Sequence, residues 1–395
     1  MHPIRLLLLI AALALSTQSA RAAPTPDFAL PKGVLPVTAV YVAKGPPDSC
    51  GPGCDRWIAV EGKMDAGAAA RLRKILKARK TANLPLYLHS PGGDVRQGIA
   101  MGRLLREHKA TARVGRTMVK ECGADGQADA ACLKHKQSGR ELEAELVEAS
   151  AFCNSSCSYM LFGATRREIA PEVTVGVHSA RVTINYSGGR SPPKAVRDQA
   201  ASRAMERLNR DLSQYIGAMG VDRALLDLVK SVKFEQMHAL KRDELIRFAI
   251  DKREFVETSW RFTDRGERSY IDKIAQERDA KEPKGFRTLR WRFGCITPPN
   301  MRVDYYRSNV DESLASAVVR FGADQKIVLA ATGTATDGEV RGARLDGAVA
   351  EKLKVASQLS LMEVSKDSQA QPRETLLSGD GLSRAVEQLL KACRA

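Results

Sequence analysis

Residues 150–164 read SAFCNSSCSYMLFGA. Two cysteines bracket two serines, and an apolar run, Tyr159–Phe162, follows at once. The run implies a buried helix. Two cysteines four apart inside a regular helix bridge poorly, so a Cys153–Cys157 disulfide requires Cys153 to lie before the helix. The serines then stand on a corner where a strand becomes a helix. A hydroxyl there meets the positive end of the helix dipole. The N–H of the following residue lacks an intrahelical acceptor. Some hydrolases expose a nucleophile on such a corner. An ordinary N-cap at Ser155 or Ser156 is the other reading of the same residues.

Two neighbouring stretches extend the first. LHSPGGDV (88–95) places Gly92 and Gly93 between an apolar strand and the helix start at Asp94. Glycines let backbone N–H groups point outward and let a ligand approach closely, which suits an oxyanion. VTVGVHSA (173–180) alternates like a strand. Val173, Val175 and Val177 fall on one face and His178 on the other, at the strand's end. A histidine there is within reach of a serine on an adjacent corner; a satisfied structural histidine is the commoner fate.

The order Gly-Gly, serine corner, histidine strand resembles the ClpP/crotonase superfamily over roughly residues 37–250. The resemblance implies a layered β/α domain and a serine peptidase. It implies Ser155 as nucleophile, His178 as general base, and the oxyanion hole at Gly92, Gly93 and the amide of Ser156. It implies no cofactor and no metal. A peptide or protein is the implied substrate, and assembly into a homo-oligomer is a family habit. The third triad member falls in LLDLVKSVKFEQMHAL (225–240). Asp227 is preferred there, on the expectation that it lies near a core formed by its leucine neighbours; Glu235 is the alternative.

The rest of the chain organises around this domain. Residues 1–22 have Arg5, an apolar run from Leu6 to Leu15, and Ala20-Arg21-Ala22, which is the pattern of a signal peptide. Residues 23–36 read as an extended leader. Strands are expected at 37–42 and 56–62, a helix at 66–80, a strand at 84–90, a helix from Asp94, and a strand at 111–116. Strand–helix alternation implies parallel pairing through crossovers. Residues 117–149 are polar and read as a surface insertion stapled by Cys122 and Cys132. Helix follows over 194–231, and DELIRFAI closes the first domain near 250. Residues 251–285 are densely charged and read as a linker. Beyond them, 286–395 alternate as strands of a small, mostly antiparallel α+β domain ending in a helix.

Eight cysteines point to disulfides in an oxidising compartment. Sequential pairing is the simplest arrangement: Cys50–Cys54, Cys122–Cys132, Cys153–Cys157 and Cys295–Cys393. Such a compartment disfavours a thiolate zinc site. Loss of residues 1–22 removes Arg5 and Arg21 and takes the net charge from +16 to +14. The basic residues are dispersed without interleaved aromatics, which argues against a nucleic-acid surface. No later segment is long and apolar enough to span a membrane. The chain therefore reads as an exported, periplasmic or secreted, serine hydrolase. A catalytically silent binding protein of the cell envelope is the alternative, and an anionic-polymer binder a third.

Overall fold

A computed structural model describes residues 31–393 apart from 79–80, 82, 185, 187–191, 267, 280–284, 297–299, 309–313 and 336–337. The signal-like segment 1–22 and most of the leader lie outside the described residues. The first unit runs β1 (Ala39–Lys44), β2 (Arg56–Glu61), α1 (Ala68–Leu76), β3 (Leu86–His89), α2 (Val95–Glu107), β4 (Thr111–Val114), β5 (Arg116–Val119), α3 (Ala130–Lys136), β6 (Leu142–Val147), β7 (Phe152–Asn154), α4 (Ser156–Gly163), β8 (Arg166–Glu168), β9 (Thr174–Val177), α5 (Lys194–Ala218), α6 (Leu225–Ser231), β10 (His238–Ala239) and α7 (Arg242–Arg247).

Its main sheet has the order β5-β6-β1-β2-β3-β4-β8. From β2 to β8 the neighbours are parallel, as strand–helix alternation requires. β1 and β2 are instead antiparallel. Their connection is the short Pro/Gly loop closed by Cys50–Cys54, too tight for a crossover. A second sheet, β10-β9-β7, stands beside the first. The chain is thus mixed α/β, with α2 and α4 packed together behind the strands. Glycines set that approach: a Cβ on Gly102 would fall 2.8 Å from the Tyr159 carbonyl oxygen. Asp94 caps α2, accepting from the amides of Arg96 and Gln97.

The segment 117–149 is not a surface loop. It contributes β5, α3 and β6, and β6 extends the main sheet by pairing with β1 in parallel and β5 antiparallel. Leu142 and Ala144 alternate into a core with Tyr41 and Trp57. Lys136, 2% exposed, reaches Glu61 at 2.8 Å, and Tyr41 donates to the same carboxylate oxygen at 2.8 Å. The polar look of the segment hides a buried, fully paired charge.

The second unit has its own core. It contains β11 (Phe255–Glu257), β12 (Arg261–Thr263), β13 (Tyr270–Arg278), β14 (Phe286–Cys295), β15 (Met301–Ser308), β16 (Leu314–Phe321), β17 (Gln325–Val328), β18 (Ala330–Ala335), β19 (Gly338–Leu345), α8 (Gly347–Lys354), β20 (Gln358–Ser365), β21 (Arg373–Ser378) and α9 (Leu382–Ala392). One sheet runs β11-β13-β14-β15-β19-β18, with β12 also on β13; the other runs β17-β16-β20-β21. All pairs are antiparallel.

The stretch 251–285 is therefore not a linker but supplies the strands that begin this unit. Its charges are largely internal. Lys273 is fully buried, donating to the Thr258 carbonyl at 2.6 Å and pairing with Glu257 at 3.2 Å. Arg287 joins Glu277 to Glu363, the latter at 2.5 Å, and Tyr305 donates to Glu363 at 2.8 Å. Buried charges persist only when paired in this way. All four sequential disulfides are present, and Cys295–Cys393 ties β14 to the end of α9 with Cα atoms 5.7 Å apart.

Candidate functional site

Two backbone crossings bring the three stretches together. Beyond β3, Ser90 bridges Cys153: its amide donates to the Phe152 carbonyl at 2.9 Å and its carbonyl accepts from the Asn154 amide at 3.0 Å. β7 then pairs in parallel with β9, Asn154 opposite Gly176. The Ser155 amide donates to the Gly176 carbonyl at 2.8 Å. This register sets Ser155 beside Val177, and His178 is the next residue. Adjacent strands lie about 4.8 Å apart and residues advance about 3.3 Å, so the two backbones are close neighbours.

Ser155 stands at the N-cap of α4 with φ 57° and ψ −122°. A serine with positive φ in this region is strained. It does not act as a cap, since its side chain makes no capping hydrogen bond. The other serines of the corner are committed. Ser156 Oγ is buried and donates to Met64 Sδ at 3.3 Å. Ser158 Oγ is buried and donates to the carbonyls of Cys153 and Gly176 at 3.0 and 2.8 Å. Among the described residues, Ser155 alone of the three keeps a hydroxyl without a bond, and it is partly accessible. The Cys153–Cys157 disulfide spans the corner and is fully buried. Every residue of α4 is buried, as its apolar run requires.

The Gly-Gly loop lies against this serine. Gly92 has φ +93°, and a Cβ there would fall 2.7 Å from Ser155 Cβ and 3.0 Å from the Ser156 amide nitrogen. Only glycine permits that approach. The Gly92 amide is already used, donating to Ser90 Oγ at 3.1 Å. Gly92 is thus a spacer and not an oxyanion donor, which corrects the sequence expectation. Gly93 pairs with Met64 through its neighbours: the Met64 amide donates to the Gly92 carbonyl and the Asp94 amide to the Met64 carbonyl. Its own amide points to the opposite side and has no acceptor among the described residues. The Ser156 amide is likewise uncommitted, at the first turn of α4. The Ser156 amide follows Ser155 directly, and Gly93 follows the Gly92 that lies against Ser155.

His178 is half-buried. Burial holds its pKa below the usual 6.5, while the backbone carbonyl of Phe234 and the charge of Glu235 pull it back up. Nδ1 is buried and has no hydrogen-bond partner among the described residues. The Phe234 ring lies 5.0 Å from the imidazole, centroid to centroid.

Asp227 does not reach this place. It sits on the solvent face of α6, 82% exposed, with Lys230 Nζ 3.5 Å from its carboxylate. Its neighbours Leu225, Leu226 and Val229 take the buried positions. The helix turns Asp227 away from the core that its leucines enter, so the buried placement expected from the sequence is not met. Glu235 acts on His178 through its charge, but its direct partner is Arg181.

Sequence reasoning missed one residue of this cluster. His89, directly before SPGG, accepts from the Phe152 amide through Nδ1 at 3.3 Å and packs on the Phe152 ring at 4.2 Å. Burial lowers its pKa to about 4. It fastens the strand carrying the Gly-Gly loop to the strand carrying the serine. The signal was a histidine ending an otherwise apolar strand. Among the described residues no cluster of His, Cys, Asp or Glu suits a metal ion.

No family model matches the chain, and no curated protein does. Among solved structures, invasion associated protein B from Bartonella henselae is similar at 10% identity and a TM-score of 0.25. That match covers 34% of this chain and 99% of the other. The four disulfides fit an exported protein from an oxidising compartment. No helix among the described residues is long and apolar enough to cross a membrane.

Proposed function

We propose that this chain is an exported serine hydrolase with a ClpP/crotonase-like first unit, and that it cleaves peptides in the periplasm or outside the cell. Ser155 is the nucleophile and His178 the general base. The amides of Gly93 and Ser156 hold the oxyanion. The observation that carries the reading is Ser155 itself: a strained backbone at a strand-to-helix corner, with a hydroxyl that neither caps the helix nor bonds elsewhere. Strain of this kind costs about 1–3 kcal/mol and persists where the surroundings enforce it. A serine held there only as a cap would make the capping bond.

In the reaction, His178 removes the Ser155 hydroxyl proton as Oγ attacks the substrate carbonyl. Negative charge develops on the carbonyl oxygen, where two preorganised amides stabilise it. His178 then returns the proton to the leaving amine, and water releases the acyl group by the same route reversed.

The exported chain is to be treated with a fluorophosphonate probe and mapped by mass spectrometry. Labelling at Ser155, lost in Ser155→Ala and strongly reduced in His178→Ala, is the expected result. A folded, disulfide-intact chain that does not label favours the second reading, a silent binding protein, to which the exposed position of Asp227 gives independent support.

A further inference from the structure

We infer that a cavity between the two units is a binding site for a small zwitterion with an apolar side chain, an amino acid or dipeptide with both ends free. The inference stands apart from the hydrolase reading, because none of the residues that carry it belongs to the Ser155 corner.

The cavity has a volume of about 380 Å³, within the range that small-molecule sites occupy. Both units enclose it. Ile169 and Val173 come from the link between β8 and β9, Leu240 follows β10, and Leu245 lies on α7. Gln276 of β13 and Phe286 of β14 close it from the second unit. Ile169, Leu240 and Leu245 are buried, and Val173 and Phe286 are half-buried. Together they make an apolar wall that suits an aliphatic or aromatic side chain. Arg242 also lines the cavity but is spent on structure. Its guanidinium donates to the carbonyls of Ile169, Asp251 and Arg253, each at 3.1 Å, and pairs with the Asp251 carboxylate at 3.0 Å.

The other polar groups of the lining are uncommitted. Among the described residues, Lys241 Nζ, the Asp243 carboxylate and the Gln276 side-chain amide have no hydrogen bond or ion pair. Lys241 is exposed at the rim, while Asp243 and Gln276 are half-buried. Lys241 and Asp243 have opposite charges yet do not pair with each other. Their Cα atoms stand within about 7 Å, the reach of two residues, which is the scale of a dipeptide. A half-buried carboxylate without a partner calls for a donor, and a ligand ammonium is one. Lys241 serves the carboxylate at the ligand's other end. Gln276 both donates and accepts, which suits a peptide group between the ends. An anionic amphiphile would bring like charge to Asp243, and a wholly apolar ligand would leave all three polar groups unmet. Free ends of both signs are what this set discriminates.

The test is calorimetric titration of the full exported chain carrying Ser155→Ala, so that no peptidase turnover consumes the probe. The probe is leucyl-leucine, compared with N-acetyl-leucyl-leucine and leucyl-leucine amide. Saturable binding at one site is expected, weaker for each capped form by roughly threefold to tenfold, the scale of one solvent-accessible charge contact. Asp243→Asn is expected to make the free and N-acetylated dipeptides bind alike. Lys241→Gln is expected to do the same for the free dipeptide and its amide. No binding at about 10 mM overturns the inference. So does equal binding of free and capped forms to the chain with Asp243 and Lys241 intact. Binding that neither variant alters also overturns it, by placing the dipeptide elsewhere. Fluorophosphonate labelling of Ser155 tests the hydrolase reading separately, so either can fail while the other stands.

Discussion

Substituting Gly92 by alanine separates two demands that the site makes on one residue. The first is conformational. A φ of +93° is costly for any residue with a Cβ, about 1–3 kcal/mol. The second is spatial. The new methyl would meet Ser155 Cβ and the Asn154 carbonyl oxygen at 2.7 Å each and the Ser156 nitrogen at 3.0 Å. Relief to ordinary contact requires a displacement of about 0.7–1 Å. Overpacking of this size costs a further 1–3 kcal/mol or so. Gly220 provides the control, with φ +67° and nothing within 4 Å of an added Cβ. Gly220→Ala carries the conformational cost alone. Urea unfolding of both variants should place Gly92→Ala about 1–3 kcal/mol below Gly220→Ala. On the proposed mechanism the larger effect is on chemistry, because the atoms to be displaced belong to the proposed nucleophile and oxyanion donor. A misplacement near 1 Å costs on the order of a hundredfold. Labelling of Ser155 by a fluorophosphonate should therefore fall roughly tenfold to a hundredfold in Gly92→Ala and stay unchanged in Gly220→Ala. Equal stabilities and equal labelling in the two variants would refute the argument that the loop and the corner are in contact.

Three further outcomes are expected. Replacing Cys295 and Cys393 by serine opens a bridge between residues 98 apart, which corresponds to about 4–5 kcal/mol on loop-entropy grounds, and calorimetry should show the loss in the transition of the second unit while the first is unaffected. His89 has a folded pKa of about 4 against 6.5 unfolded, so its contribution is present above pH 6.5 and lost as the pH falls toward 4, about 3 kcal/mol in all; His89→Gln should flatten the difference between urea midpoints at pH 7 and pH 4.5. Asp227→Asn should leave both Ser155 labelling and stability within about 0.5 kcal/mol of the parent chain, since an 82% exposed carboxylate beside a lysine contributes little, and a tenfold loss of labelling would return Asp227 to the site.

Local patterns were the legible part of the sequence. The Asp94 cap, the buried helix at 156–163, the helix–strand order from 56 to 114 and three of the four cysteine pairs each depend on residues close together in the chain. The strands β5 and β6 were not legible, because their charged faces mask alternate buried positions and because the Lys136–Glu61 pair joins residues 75 apart. The same cause hid β11 to β13, where Lys273 looks solvated until Glu257 is brought to it and Glu277 looks solvated until Arg287 of β14 is. β19 and β21 carry glycine or charge at alternate positions and give a weak strand signal. At the site, the serine, the second glycine and the histidine stand in motifs. Asp227 misled because apolar neighbours in a helix mark the buried stripe and place the residue between them opposite.

The cysteine pairs also impose an order of events on a chain made from its N-terminus. Three of them join residues 4, 10 and 4 apart, so each can close as soon as a short stretch has emerged into an oxidising compartment. The fourth waits for residue 393, because Cys295 has no earlier mate. The first unit can thus be locked, corner included, while the second is still growing. Through that interval α9 is unavailable and the core it completes with Leu382, Val386 and Leu389 remains open to water. The second unit is therefore the part of the molecule exposed longest to proteases and to chaperones during its maturation.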